Sequence, residues 1–359
     1  MAANLTQSRI CVEKPLAYEE HVMKSLSDKS NSYHHFKKLS AAFLTQKIWP
    51  KNSKITISFV ASPNTVKNVD WTPIPVLKGM KNSNGSYIKL DPIEEEIRKL
   101  SPIEAVKKVV RERLQPIVGL KFVFMETGGC VRVGFNPHGG SFSLVGTDCI
   151  KSKERVTMNF GWLDAGTIIH EFGHVLGLIH EHQNPNGVTI PWDDSKVYEW
   201  AKQTQGWDHK TAYHNIIERY KTDQINGSKY DKYSIMEYFF PGSLTTNDVG
   251  TPNNHRLSRT DVKYISKVYP GGMMDPEEFY MNVYGSSINA TPGEGKTFDW
   301  KIVGYVAAGV AGLILIIWIF NKLRKGGGRR VSRNGLDYSA WRRSYGASPR
   351  SFTPRRYTT

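Results

Sequence analysis

The stretch Thr167–Gln183 narrows what this chain can fold into more than any other, because it reads as one helix stopped abruptly at a glycine and followed by a third histidine. His170 and His174 are four apart, so on a helix they stand one above the other, about 6 Å along the axis, and can grip one metal ion. Glu171, next to His170, is turned about 100° round the helix. That is too far for an easy third ligand, but it is the position of a general base beside a metal-activated water. Only glycine readily takes the positive φ that ends a helix and folds the chain back beneath it, so Gly177 predicts a turn that brings His180 to the same ion. Three neutral imidazoles with an open fourth position describe a catalytic zinc rather than a structural one. A core helix with incidental histidines would have to gather three His and one Glu within the eleven residues 170–180 by accident.

The extended pattern His170-Glu171-x-x-His174-x-x-Gly177-x-x-His180-Glu181 resembles that of the metzincin zinc peptidases, and the glutamate after the third histidine points to their astacin-like branch. Ser234-Ile235-Met236-Glu237-Tyr238 resembles the astacin Met-turn. The resemblance implies Zn2+ on His170, His174 and His180, with Glu171 and Tyr238 catalytic. Met236 would be the floor under the imidazoles, and Gly177 and Glu181 would support the site. It also implies an α+β fold of two subdomains: a twisted mixed sheet with helices, including the active-site helix, then a mostly irregular C-terminal subdomain. The stretch 131–146, followed by 159–163, is similar to the astacin-type peptidases of bacteria and fungi, in which an edge strand lies above the cleft. Ser141, Phe142, Ser143, Leu144 and Val145 are the candidate edge. Its unpaired N–H and C=O groups would hold an extended polypeptide substrate, and a covered edge is the competing reading. His182 is two residues past the third ligand and reads as a hydrogen-bonding residue.

Along the chain, residues 1–46 form an N-terminal segment and 47–270 the catalytic domain. Residues 1–46 hold no apolar run that would serve as a secretory signal. Astacin-like proteins are often made as latent precursors, which makes 1–46 a candidate pro-segment and Cys11 a candidate thiolate donor. Lys54–Val60, Lys121–Met125, Cys130–Phe135, Ser141–Val145 and Val156–Phe160 read as strands. Asp91–Leu100 and Ser101–Val118 read as helices. The second opens on a capping box, Ser101 with Glu104, and carries the apolar stripe Ile103, Val106, Val110 and Leu114. Leu257–Pro270 resembles the family's closing helix, with Ser258 as its cap. Three cysteines are too few for a disulfide framework, and a Cys130–Cys149 bond stays open.

Residues 271–300, rich in Gly, Pro and Asn, read as a stalk. Ile302–Phe320 is then nineteen uncharged residues, about 28 Å as a helix, so 301–321 is expected to cross a lipid bilayer. Gly304, Ala308 and Gly312 share one face of that helix and offer a self-association seam. The tail 322–359 has no sustained apolar pattern and reads as disordered. Counted from 321, the C-terminus holds eleven Lys and Arg against Asp337 alone, giving it +10 of the chain's net +15. The folded part is therefore only mildly basic, and any nucleic-acid or anionic-lipid binding is expected of the tail. The positive-inside rule keeps that tail in the cytosol and puts the catalytic domain outside or in a lumen. A virion membrane protein would suit this layout. The leading expectation is a membrane-anchored zinc endopeptidase, and the alternative is a catalytically silent membrane attachment protein on the same fold.

Overall fold

The computed structural model describes residues 12–13, 42–60, 66–82, 85–187, 189–221, 225–226 and 230–285. Residues 1–11 and 14–41, Cys11 among them, the span Ile302–Phe320 and the basic tail lie outside the described residues. Among the described residues no helix is long and apolar enough to cross a membrane.

The strands are β1 (Val12–Glu13), β2 (Phe43–Leu44), β3 (Lys54–Phe59), β4 (Lys121–Phe124), β5 (Val131–Gly134), β6 (Phe142–Ser143), β7 (Met158–Asn159) and β8 (Ile225–Asn226). Six of them form a mixed sheet in the order β1-β6-β7-β5-β3-β4, and β2 pairs with β8 in a second, two-stranded one. At the centre β3 runs parallel to both neighbours, with Ile55 opposite Phe122 and Ile57 opposite Val131. Ile55, Ile57, Val131 and Val133 are buried on the same core, as the alternation of these segments requires. β6 runs antiparallel to β7, and its other side is paired in parallel with β1, Val12 opposite Phe142. The candidate substrate edge is therefore covered: Ser141, Phe142, Ser143, Leu144 and Val145 are all buried.

Six helices are named here: α1 (Pro102–Val109), α2 (Asp148–Lys151), α3 (Ala165–Val175), α4 (Asp194–Gln205), α5 (Arg259–Val268) and α6 (Pro276–Tyr284). α1 carries the chain from β3 across to β4. Ser101 caps it by accepting from the Glu104 N–H, but the capping box is only half made, because the Glu104 carboxylate pairs with Lys107 instead, 2.7 Å away. Past Val109 the helix widens into a π turn, Val110–Leu114, and then tightens over Gln115–Ile117. The change of pitch keeps Val106, Val109, Val110 and Leu114 on the core and leaves Ile103 half-buried. A second, smaller core gathers Val197, Trp200 and Ala201 of α4 with Phe240 and Leu244. The C-terminal half is thus less irregular than expected, since it holds α4, α5 and α6.

Two boundaries differ from the sequence reading. The folded unit starts by residue 42, not 47: Ala42 accepts from Ile179 N–H, and Leu44 N–H donates to Gly177. Residues 271–285 are not stalk. Asp275 caps α6 by accepting from Glu277 and Glu278 N–H, and Phe279, Tyr280 and Tyr284 pack on the main core. The Tyr284 hydroxyl donates to Asp91, 2.8 Å away, and the same carboxylate takes the Arg113 guanidinium at 2.8 Å. The glycines and prolines of 270–276 masked this short aromatic stripe. Phe279→Ala should therefore cost about 3–5 kcal/mol of unfolding free energy. Urea titration checks this, and a loss within about 0.5 kcal/mol, as at an ordinary surface position, would return the segment to a loose stalk.

Candidate metal centre and active site

All eleven residues of α3 are buried, so both ends of its backbone need partners inside the protein. At the N-terminus, Asp164 accepts from Thr167 N–H at 2.8 Å and from the Thr72 hydroxyl at 2.8 Å, while Glu94 accepts from Ala165 N–H at 2.7 Å. At the C-terminus, Gly177 N–H donates to His174 O at 2.8 Å and Leu178 N–H to Gly173 O at 3.0 Å, the paired closure of a Schellman motif. Gly177 has φ +92°, as the sequence predicts. The remaining carbonyls are met by Trp49 Nε1 on Val175 at 2.6 Å and the Tyr269 hydroxyl on Leu176 at 2.6 Å.

This turn brings His180 back beneath the helix. The ligand atoms of His170, His174 and His180 lie within 4.8 Å of one another, and all three residues are buried. His182 is not part of this group; its Nε2 donates to the Asn215 carbonyl at 3.1 Å. Each of the three rings is oriented by its Nδ1. His170 Nδ1–H donates to Ile235 O at 2.8 Å and His174 Nδ1–H to Leu178 O at 2.9 Å. His180 Nδ1 faces Gln183 Oε1 at 3.2 Å, and Gln183 spends its amide hydrogens on the His214 and Glu218 carbonyls, so the oxygen accepts and the imidazole donates. With every Nδ1 protonated, every Nε2 carries a lone pair. His174 and His180 Nε2 face each other at 3.1 Å, and His170 Nε2 is buried with no hydrogen-bond partner. Lone pairs gathered this closely repel unless a cation lies among them. Burial pushes the His170 imidazole down to about 4 and His174 to about 3, with His180 also well below its ordinary value. The rings are therefore neutral, as ligands must be, and the donor set fits Zn2+.

Glu171 is fully buried beside His170 in α3. The Tyr238 ring leans over the imidazoles, its centroid 4.0 Å from that of His180 and 5.5 Å from that of His170. Met236 is fully buried against α3: a Cβ at Gly173 would lie 2.5 Å from its Sδ, so a side chain at this helical position would have to displace the thioether. Glu181 acts as an anchor, accepting from Asn184 Nδ2 at 3.1 Å and Asp231 N–H at 2.9 Å, while its own N–H donates to Met236 O at 3.0 Å. Burial raises its carboxyl to about 8.

Three supporting residues escaped the sequence reading: Asp164, Gly173 and Asp261. Asp261 completes the capping box of α5 with Ser258, and its carboxylate also accepts from the Ser234 hydroxyl at 2.7 Å and Ile235 N–H at 2.8 Å. It thereby fixes the residue whose carbonyl orients His170. The spacing Ser258-x-x-Asp261 marks the cap, but nothing in it marks the second task. Asp261→Asn, which keeps shape and loses charge, should weaken zinc binding about 10–100-fold. Chelator competition measures this on protein with an unchanged circular dichroism spectrum, and unaltered affinity would separate Asp261 from the site.

The model of the peptidase family Astacin matches residues 104–269. Zinc metalloproteinase nas-4 of Caenorhabditis elegans is 29% identical over 145 residues, 37% of this chain and 42% of that protein. Astacin-like metalloprotease toxin 5 of Loxosceles gaucho is 30% identical over 124 residues, 34% of this chain and 60% of the toxin. The chain thus spans less than two thirds of the length of these relatives, and only 20% of zinc metalloproteinase nas-13 of Caenorhabditis elegans. The solved structure of myroilysin superposes with a TM-score of 0.50 at 33% identity, covering 64% of this chain and 98% of that one. With the histidine triad and the glycine-terminated helix in place, this chain belongs, through residues 104–269, to the astacin family of peptidases.

Proposed function

We propose that this chain is a zinc-dependent endopeptidase. The observation that carries the proposal is the convergence of three lone-pair-bearing Nε2 atoms on one buried point, with Glu171 next in the helix. Zinc, when held by His170, His174 and His180, supplies Lewis acidity that acidifies a water and polarises the scissile carbonyl. Glu171 takes the proton from the attacking water and passes it to the leaving amine. The Tyr238 phenol donates to the oxygen on which negative charge develops. Within the family, the chain sits best with the bacterial and fungal astacin-type peptidases, on the pattern of 131–146 and 159–163. It is anchored by Ile302–Phe320, with the basic tail cytosolic and the peptidase outside or in a lumen, a reading supported by the length of the apolar run and the charge that follows it. Glu171→Gln should keep zinc at one per chain and lower cleavage of a quenched peptide about 10²–10⁴-fold. Unchanged cleavage would remove Glu171 from the mechanism. Zinc at one per chain without turnover in the mature, unblocked protein would favour an attachment module instead.

The N-terminal strand bears on this activity. Val12–Glu13 is paired along β6, and an extended substrate adding to that strand needs the same N–H and C=O groups. β1 therefore has to leave before a peptide can be held there. A chain beginning at residue 42 should cleave an unstructured peptide with a higher kcat/KM than the full chain. Equal values would mean that substrate does not use β6.

A further inference from the structure

The three imidazoles of the metal centre are oriented in two different ways. His170 and His174 give their Nδ1–H to backbone carbonyls, those of Ile235 and Leu178. His180 gives its own to a side chain, the Gln183 amide oxygen, at 3.2 Å. Gln183 ends the turn Glu181–Gln183, and its N–H donates to the His180 carbonyl at 3.1 Å, so the amide folds back toward the ring it serves. It is buried, with 1% of its surface exposed.

A second segment, further along the chain, fixes Gln183. One helical turn, His209–Ala212, widens into a π turn, Tyr213–Ile217. A helix that ends leaves carbonyls without intrahelical donors, and here they are met by the residues after His180. The His214 and Glu218 carbonyls take both amide hydrogens of Gln183, at 2.6 and 3.0 Å, and the Asn215 carbonyl takes His182 Nε2–H at 3.1 Å. Tyr220 N–H donates to the Gln183 carbonyl at 3.2 Å. Arg219 adds a brace, donating to the Asn184 and Gly187 carbonyls at 2.6 and 3.0 Å. Turning the Gln183 amide over would set its oxygen against two carbonyls, so that oxygen has to face His180 Nδ1.

We propose that Gln183 is a positioning residue for the third ligand, and that through it the segment 213–220 is coupled to the metal. The proposal rests on His170, His174 and His180 holding zinc. With Gln183 in place, the His180 ring keeps its proton on Nδ1 and presents the Nε2 lone pair to the ion. Without that acceptor, the neutral ring can carry its proton on either nitrogen and rotate about its Cβ–Cγ bond. Only part of its arrangements then suit the ion, while the two rings held by backbone carbonyls are unaffected. The coupling is reciprocal: contacts of 213–220 that raise zinc affinity are themselves strengthened by zinc to the same extent. His180 is thus the ligand through which a movement of that segment reaches the ion.

The test uses the full chain and two substitutions. Gln183→Leu removes the acceptor on Nδ1 and both amide donors, whereas Gln183→Glu removes the donors and keeps an oxygen for Nδ1. Chelator competition measures zinc affinity, and hydrogen exchange of residues 213–220 is followed with and without zinc. Gln183→Leu should bind zinc about 10–100-fold more weakly than the unsubstituted chain, and Gln183→Glu about tenfold or more tighter than Gln183→Leu. A purely structural role would lower both alike, because both lose the bonds to the His214 and Glu218 carbonyls. Zinc should slow exchange across 213–220 in the unsubstituted chain, and less so in Gln183→Leu. Unaltered affinity in Gln183→Leu, equal losses in the two variants, or exchange that zinc leaves unchanged would overturn the proposal. Should Gln183→Leu not fold, a loss beyond about tenfold in Gln183→Glu overturns it. An unsubstituted chain that takes up no zinc would sink the metal reading as well, whereas zinc at one per chain with the wrong order of affinities sinks the role of Gln183 alone.

Discussion

Everything in the site depends on burying a helix whole. A helix with no exposed residue brings in orphan N–H groups at one end and orphan carbonyls at the other, and each would be expensive to leave dry. Here Asp164 and Glu94 take the first set, and the Gly177 turn, Trp49 and Tyr269 take the last. The C-terminal solution is also the catalytic one. Leu178, whose N–H closes the turn, offers its carbonyl to His174 Nδ1, and two residues further the chain presents His180. Ending the helix and building the site are therefore a single event in the backbone.

What reached the site from the sequence did so because chemistry and backbone requirement coincide there. His170, His174, Gly177 and His180 are legible since a metal, a helical repeat and a positive φ each demand a particular residue type at a particular spacing. The strands were legible from alternation, at the level of existence more than extent: Ser141–Val145 reads as five residues, yet only Phe142–Ser143 forms a ladder. The α1 stripe slid by part of a turn because the helix changes pitch at Val110, which period counting does not register.

The illegible parts share a cause: they are contacts between segments far apart in the chain. Asp261 looks like a cap and is also the anchor of Ile235, 26 residues away. β1 is two residues long, too short for any periodic signal, and its place beside β6 is set by the sheet alone. α6 was hidden by the glycines and prolines of 270–276, although its aromatic side chains and the Asp91–Arg113 pair show why it docks.

The meeting of Gly173 with the Met236 sulfur has a consequence for how the two halves of the domain find each other. A sulfur seated where a helix has no side chain works as a registration pin. Sliding α3 by one residue would offer it Phe172 or His174, both bulky, and turn the imidazoles by about 100° away from their common point. A second fixing, Glu181 N–H on Met236 O, holds the pin from the other side. Assembly of the two halves therefore has one seated arrangement, and it is the one in which the three rings converge.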